Sequence, residues 1–200
     1  MYAVGHLAIG YLSGKATAKL AHVNVNVPVM FTLAILPDID LLIPRLAHRG
    51  PTHSLIVLAL LFVPVFLLYK KRAIPYFAAL ILHPLIGDIL TGGAQLLWPL
   101  TTTEYGLRLD IANPANILTE WTFFLASLAL LYTAKDLHTL FQRHRSNLFL
   151  LIPIFTVLLP TFLMFPIYVP RELIIPHLIY LTIFTLSILV DLKPKPAQKQ

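Results

Sequence analysis

The stretch AHRGPTHSLIVLALLFVPVFLLYKK, residues 47–71, joins a polar cluster to a long apolar segment. Residues 54–69 carry no charged side chain, and Lys70 and Lys71 follow them directly. Such a run, ended by basic residues, is typical of a helix that crosses a membrane. Two imidazoles, a guanidinium and a hydroxyl gather at its beginning, on His48, Arg49, Thr52 and His53. The stretch therefore predicts a membrane helix with a polar site at one end.

The rest of the chain has the same apolar character. Of its 200 residues 58% are hydrophobic and 12% are charged, and the mean hydropathy is +0.78, whereas a soluble domain carries about 25% charged residues. Apolar runs recur at 2–20, 27–45, 53–69, 74–98, 117–134, 147–168 and 173–191. We therefore expect an all-α fold, a polytopic transmembrane helical bundle of about six or seven helices. The first run carries Lys15 and Lys19, so it could instead lie in the membrane interface.

One membrane-embedded domain is predicted over residues 1–192, and residues 193–200 are predicted to be a short basic disordered tail. The chain has no cysteine, so disulfides are excluded and any metal must be held by nitrogen and oxygen. The formal charge is +6, but the basic residues form short clusters between apolar runs. That pattern fits membrane topology, so we expect membrane lipids and no nucleic acid as partners.

The distribution of Lys and Arg predicts the orientation. In a path that alternates across the membrane, eleven basic residues fall on one side and four on the other. The larger group is Lys15, Lys19, Lys70, Lys71, Arg72, Lys135, Arg143, Arg145, Lys193, Lys195 and Lys199, and the smaller is Arg45, Arg49, Arg108 and Arg171. The side richer in Lys and Arg should be cytoplasmic.

Ionisable residues in the first half of the chain converge on one level of this topology. They are His6, Asp38, Asp40, His48, His53, His83 and Asp88, and all fall in the outer half of the membrane. Ionisable groups at such depth are costly and need partners or a function. Four imidazoles and three carboxylates suit one or more divalent ions, Zn²⁺ first and Mn²⁺ second.

Local spacing bears on which of these residues can share an ion. Asp38 and Asp40 follow a proline that interrupts the helix, so a locally extended backbone would place both carboxylates on one side. His83 and Asp88 are five residues apart, about 140° around an ideal α-helix, which is unfavourable for one site. Pro84 and Gly87 lie between them, and a kink or π-bulge there could realign the pair.

Simpler roles exist for several of these residues. A helix cap or turn accounts for the two aspartates of LPDID about as well as metal binding does, and His6 taken alone is better explained by packing. Arg49 could form a structural ion pair. Glu120 is more typical of a surface charge than of a site, and His177 is more typical of a hydrogen-bonded packing residue. The hydroxyls of Thr52 and Ser54 are favoured as caps or as supports of neighbouring ligands.

The motifs taken together resemble a known family. His6 with Gly10, then LPDID, HRGPTHS and HPLIGDILTGGAQLLWP, are similar to the YdjM-like membrane-bound metal-dependent hydrolases. The resemblance covers roughly residues 1–100. It implies a metal-dependent hydrolase in a prokaryotic inner (plasma) membrane, distantly similar to zinc-dependent phospholipase C and P1 nuclease.

The resemblance also implies which residues hold the metal. They are His6, Asp38, His48, His53, His83 and Asp88, and Asp40 is a weaker candidate. The last histidine and aspartate of the family pattern are usually four residues apart, whereas five separate them here.

The implied chemistry is metal-assisted hydrolysis of a phosphoester or a lipid-linked substrate near the outer membrane face. A bound Zn²⁺ lowers the pKa of water toward ~7 and so supplies a nucleophile. Asp40 or Glu120 would act as general base, and Arg49 would hold an anionic phosphate. The alternatives are an ion or solute transporter that uses the same intramembrane cluster and a non-catalytic metal-binding membrane scaffold.

Overall fold

The computed structural model describes residues 1–163 and 169–192. Within these ranges the chain is all-α, as predicted, and contains no β-strand beyond an isolated bridge between Ala94 and Tyr105. The predicted tail at 193–200 lies outside the described residues.

In the described ranges, eight α-helices alternate with 3₁₀ and π segments. The α-helices are α1 (Ala3–Ala21), α2 (Val27–Ile35), α3 (Leu55–Tyr69), α4 (Ile74–Leu82), α5 (Pro114–Thr133), α6 (Asp136–Leu140), α7 (Leu151–Pro153) and α8 (Arg171–Leu192). The 3₁₀ segments are Leu36–Leu42, Pro51–His53, Lys70–Ala73, Arg145–Leu150 and Pro160–Leu163, and the π segments are His83–Asp88 and Ile154–Leu158.

Two of the described helices, α5 and α8, are long and apolar enough to cross a membrane by themselves. The predicted spans 27–45 and 74–98 are instead divided. Each begins as a nine-residue α-helix, α2 or α4, and then changes to a 3₁₀ segment or a π segment. Pro37 and Pro84 lie at these changes, and each lacks the N–H that would continue the α-helical ladder.

Helix α1 lies at the centre of the fold and packs against α2, α4 and α5. Its Gly10 lies against α2 and α4, so close that an added Cβ would overlap Ala34 and lie 3.2 Å from the carbonyl oxygen of Ala79. Only a residue without a side chain allows this approach, which is how membrane helices pack closely. The close packing fixes α1, and with it His6, against the segments that carry the other ligand candidates.

Aromatic side chains attach α8 to this centre. Phe31 of α2 stacks on Tyr11 of α1 at 5.1 Å, and Phe184 of α8 packs against Phe31 at 4.9 Å between ring centroids. Tyr180 is hydrogen-bonded to Ser127 of α5 at 2.6 Å. The second half of the chain is thus packed onto the first, so residues from α5 and α8 can approach the polar cluster.

Candidate metal centre

The polar cluster forms where three irregular segments meet α1. The 3₁₀ segment Leu36–Leu42 carries Asp38, the 3₁₀ turn Pro51–His53 carries His53, and the π segment carries His83 and Asp88 at its two ends. All four of these residues are at least 95% buried. The prolines that shorten α2 and α4 therefore also create the segments on which the cluster is built.

Two imidazole nitrogens and two carboxylate oxygens converge at its centre. Asp38 Oδ1 lies 3.4 Å from His53 Nε2 and 3.3 Å from His83 Nε2. Asp88 Oδ2 lies 3.5 Å from each of the same two nitrogens. These distances exceed the 2.7–3.2 Å range of N–H···O hydrogen bonds, and within the described part of the chain neither nitrogen has a hydrogen-bond partner.

The spacing fits a bound divalent ion. Four ligands placed tetrahedrally at about 2.0–2.1 Å from Zn²⁺ lie about 3.3–3.4 Å from one another. The four N···O distances of 3.3–3.5 Å match this spacing for the nitrogen–oxygen pairs. Lone pairs and carboxylate charges that face one another in a buried site are stabilised by a cation between them. The buried His/Asp cluster can therefore hold a metal ion.

The far side of each imidazole is held so that Nε2 faces the cluster. His83 Nδ1 lies 2.7 Å from the carbonyl oxygen of Ala34, which can only accept a hydrogen bond, so Nδ1 carries the hydrogen. His53 Nδ1 lies 3.3 Å from Asp40 Oδ2 and 3.0 Å from the Thr52 hydroxyl. Metal-bound histidines are oriented by such bonds to carbonyls and carboxylates.

The π segment explains how His83 and Asp88 reach one site. Five residues separate them, and a π-helix closes its hydrogen bonds over that interval, so the two side chains come onto one face. The sequence expectation of a kink or π-bulge at Pro84 and Gly87 is confirmed.

His6 lies at the edge of the same cluster. Its ring stacks on that of His83, with the centroids 3.7 Å apart, and its Nε2 lies 3.8 Å from Asp88 Oδ1. An added Cβ on Gly87 would overlap the His6 ring, so the glycine provides the space for it. His6, Asp38 and His83 also form a second group of possible ligand atoms that lie within 4.8 Å of one another. Because Asp38 and His83 belong to both groups, and His83 has one nitrogen free to bind a metal, His6 extends the ligand set of the same centre.

Asp40 lies behind the ligands and supports them. Its Oδ2 accepts hydrogen bonds from the Arg49 backbone N–H at 3.2 Å and the Thr52 hydroxyl at 2.8 Å. Its Oδ1 lies 3.0 Å from His48 Nδ1. One carboxylate thus holds the turn HRGPTH and orients His53. His48 is the more exposed of these histidines and forms another possible ligand group with Asp38 and His53.

Arg49 ties the cluster to the loop that follows α4. Its Nε lies 3.0 Å from Asp88 Oδ1, and its guanidinium donates to the carbonyl oxygen of Thr91. The ion pair that the sequence offered as one role for Arg49 is therefore present.

Ser54, as predicted, caps a helix, because its hydroxyl accepts the N–H of Val57 at the start of α3.

Comparison with known proteins identifies the family. A family model described as YdjM inner membrane protein matches residues 1–173. The chain belongs to this family. No curated protein and no solved structure matches it. The match to the YdjM family extends well beyond residues 1–100, where the recognisable motifs lie, and it takes in α5 with its buried carboxylate.

That carboxylate, Glu120, is fully buried, unlike the surface charge that the sequence favoured. It accepts the backbone N–H groups of Tyr2 at 2.6 Å and Gly5 at 3.1 Å, and the amide of Asn116 at 3.1 Å. These bonds satisfy the free N–H groups at the start of α1. The structure therefore places Glu120 at the first turn of the helix that carries His6, and its bonds join α5 to α1.

The structure also draws attention to His177, which the sequence assigned to packing. Its side chain lies in a narrow cavity that is also lined by His6, Asp38, His48, Arg49 and Asp88. Only the folded structure could reveal this, because α8 carries no motif and lies far from HRGPTHS in sequence.

Proposed function

We propose that this YdjM-family chain is a membrane-bound metal-dependent hydrolase that acts on a phosphoester or a lipid-linked substrate. The observation that carries the proposal is the convergence of His53 Nε2, His83 Nε2, Asp38 Oδ1 and Asp88 Oδ2 at 3.3–3.5 Å in a buried site. The set contains only nitrogen and oxygen ligands, which suits Zn²⁺ first and Mn²⁺ second.

The role of the ion would be to activate water and to polarise the substrate oxygen. The chain's own residues divide the remaining tasks. Asp40 fixes the orientation of His53 through the bonds described above, and we assign it to positioning because donors already occupy both of its oxygens. Arg49 keeps a positive charge at the cavity beside Asp88, which favours an anionic substrate such as a phosphoester.

We place the protein in the prokaryotic inner membrane as a polytopic bundle, with the cluster toward the extracytoplasmic side. The distribution of Lys and Arg supports this orientation. Helix α3 supports further membrane contact, because Leu60, Leu61, Leu67 and Leu68 are 65–77% exposed. An apolar face of this kind is typical of a lipid-facing surface. A site at membrane depth is the reason to expect a lipid-linked substrate.

Metal content tests the centre directly. The detergent-solubilised protein would be analysed by mass spectrometry beside His53→Ala and Asp38→Ala, with the exposed His138→Ala as the matched control. We expect at least one equivalent of zinc or manganese in the wild type and the control, and a loss in the other two variants. If the wild type binds no metal even after reconstitution, the hydrolase proposal fails, and transport assays on the same cluster come next.

A non-catalytic metal scaffold is the second candidate, because four protein ligands would complete a tetrahedral shell. Water-proton relaxation of the Mn²⁺-loaded protein distinguishes the two. A catalytic site keeps a coordinated water that exchanges with solvent and enhances relaxation, whereas a closed site does not. A phosphoester screen is informative once exchangeable water has been found.

A further inference from the structure

One histidine in the second half of the chain has a buried nitrogen that no hydrogen bond uses. His177 of α8 is fully buried, and its Nδ1 lies 2.7 Å from the carbonyl oxygen of Leu173. The carbonyl can only accept, so Nδ1 carries the hydrogen and Nε2 of the neutral ring presents a lone pair. This Nε2 has no hydrogen-bond partner among the described residues.

The cavity that His177 lines connects it to the candidate metal centre. Among the described residues that line the cavity beside His177, Val157, Pro160 and Val169 are apolar, and the Thr156 hydroxyl donates to the carbonyl oxygen of Ile152. The same cavity is lined by Asp38 and Asp88 of the metal centre. A buried acceptor without a donor is unfavourable, so its presence here points to a donor that enters the cavity.

We propose that His177 is a further catalytic residue, whose Nε2 takes the proton of the water that attacks the substrate. This inference rests on the proposed hydrolase function. In the step, the water oxygen forms a bond to the phosphorus while one of its protons moves to Nε2. The bond from phosphorus to the leaving-group oxygen breaks, and the electron pair stays on that oxygen. The proton on Nε2 is then passed to the leaving group, which restores the neutral ring.

The family match does not account for this residue. It ends at residue 173, before His177, and the motifs in residues 1–100 contribute the ligand candidates on the other segments. Helix α8 would thus supply the proton acceptor while the irregular segments hold the metal. In general base catalysis the base lies within hydrogen-bond reach of the nucleophile. Here it would be a residue other than those that bind the ion.

The variant His177→Asn isolates the unpaired nitrogen. The Asn amide can keep the hydrogen bond to Leu173 that Nδ1 makes, while nothing replaces Nε2. We would compare it with the wild type and with His138→Asn, an exposed control, in the zinc-loaded full chain and with bis(p-nitrophenyl) phosphate as the probe. We expect unchanged zinc content and a fall in kcat of about 10²–10³-fold. At acid pH, the plot of log kcat against pH should lose the one-proton slope that a general base produces.

Each other result overturns the inference. Loss of zinc would make His177 a ligand, and unchanged kcat would make it dispensable. A lower kcat with an unchanged acid limb would show a merely structural role. A zinc-loaded wild type that does not cleave the probe removes both the phosphoester substrate and this step, while a wild type without metal refutes the proposed function before His177 is tested. If His177→Asn does not fold, His177→Gln, whose amide cannot take a proton, is measured in the same way.

Discussion

The substitution Asp40→Asn tests whether this carboxylate supports the metal ligands or is itself one of them. In the structure Oδ2 faces three donors, from Arg49, Thr52 and His53, and Oδ1 faces His48. An amide oxygen placed at Oδ2 keeps all three donors but loses the negative charge that strengthens the bond to His53 Nδ1. Its NH₂ group would then replace Oδ1 beside His48 Nδ1. If that nitrogen carries a hydrogen, two donors face each other and this hydrogen bond is lost.

The expected fall in zinc affinity follows from how much of the support for His53 the amide loses. Removing a group that orients a metal-bound histidine typically costs 10–100-fold in metal affinity, which corresponds to about 1.4–2.8 kcal/mol. Because the amide retains most of the hydrogen bonds of Asp40, we expect a value near the lower end, about tenfold. Asp38→Asn, in contrast, removes the charge from Oδ1, which faces His53 Nε2 and His83 Nε2. This substitution should abolish stable zinc binding.

A titration of the zinc-loaded protein with a competing chelator measures this difference. Asp110→Asn is the matched control, because that aspartate is exposed and bonds only to its own turn among the described residues. If Asp40→Asn loses zinc as completely as Asp38→Asn, the carboxylate is a ligand and its assignment to positioning is wrong. If its affinity equals that of the control, Asp40 does not orient His53.

Three further substitutions address the structure around the centre. Gly87→Ala should displace the His6 ring, because the new Cβ would overlap it; we expect a lower zinc affinity in the chelator titration, and an unchanged affinity would show that the position of the His6 ring does not matter for the ion. Glu120→Gln leaves the start of α1 without its charged acceptor, and we expect a loss of about 1–3 kcal/mol of stability, measured as a lower thermal unfolding midpoint, whereas an unchanged midpoint would contradict the role of Glu120. Ser54→Ala removes the cap of α3 and should cost about 1 kcal/mol in the same assay without changing zinc content; loss of zinc would show that Ser54 also orders His53.

Local signals in the sequence were sufficient to predict much of the fold. Apolar runs predicted the all-α class, and the serine before Leu55 predicted the cap of α3, because both depend on neighbouring residues. The lengths of the helices were not predictable in the same way. The run at 27–45 reads as one span by hydropathy, yet the chain changes to a 3₁₀ segment at Leu36–Leu42, where Pro37 removes a hydrogen-bond donor.

The sequence groups the candidate site residues that share one predicted membrane depth, and it does not show which residues of the second half of the chain pack beside them. The grouping of Asp38, His53 and Asp88 was expected because ionisable residues at one membrane depth need partners. The positions of Glu120 and His177 depend instead on how α5 and α8 pack against α1. No spacing rule in one sequence encodes that contact, so the sequence favours a surface charge for Glu120, which is wrong, and for His177 it predicts only the hydrogen-bonded packing that the structure confirms.

The irregular segments explain why the motif residues lie where they do. In a regular α-helix the backbone carbonyls already accept the hydrogen bonds of the helix, so an imidazole nitrogen that uses one shares its acceptor. Here α2 ends at Ile35, and the carbonyl of Ala34 in its last turn receives His83 Nδ1. The break in α2 and the π turn in α4 therefore do two things at once. They turn the side chains of the cluster toward one point. They also leave the Ala34 carbonyl available to His83 Nδ1, which fixes that imidazole. Both effects depend on the interruption of a helix.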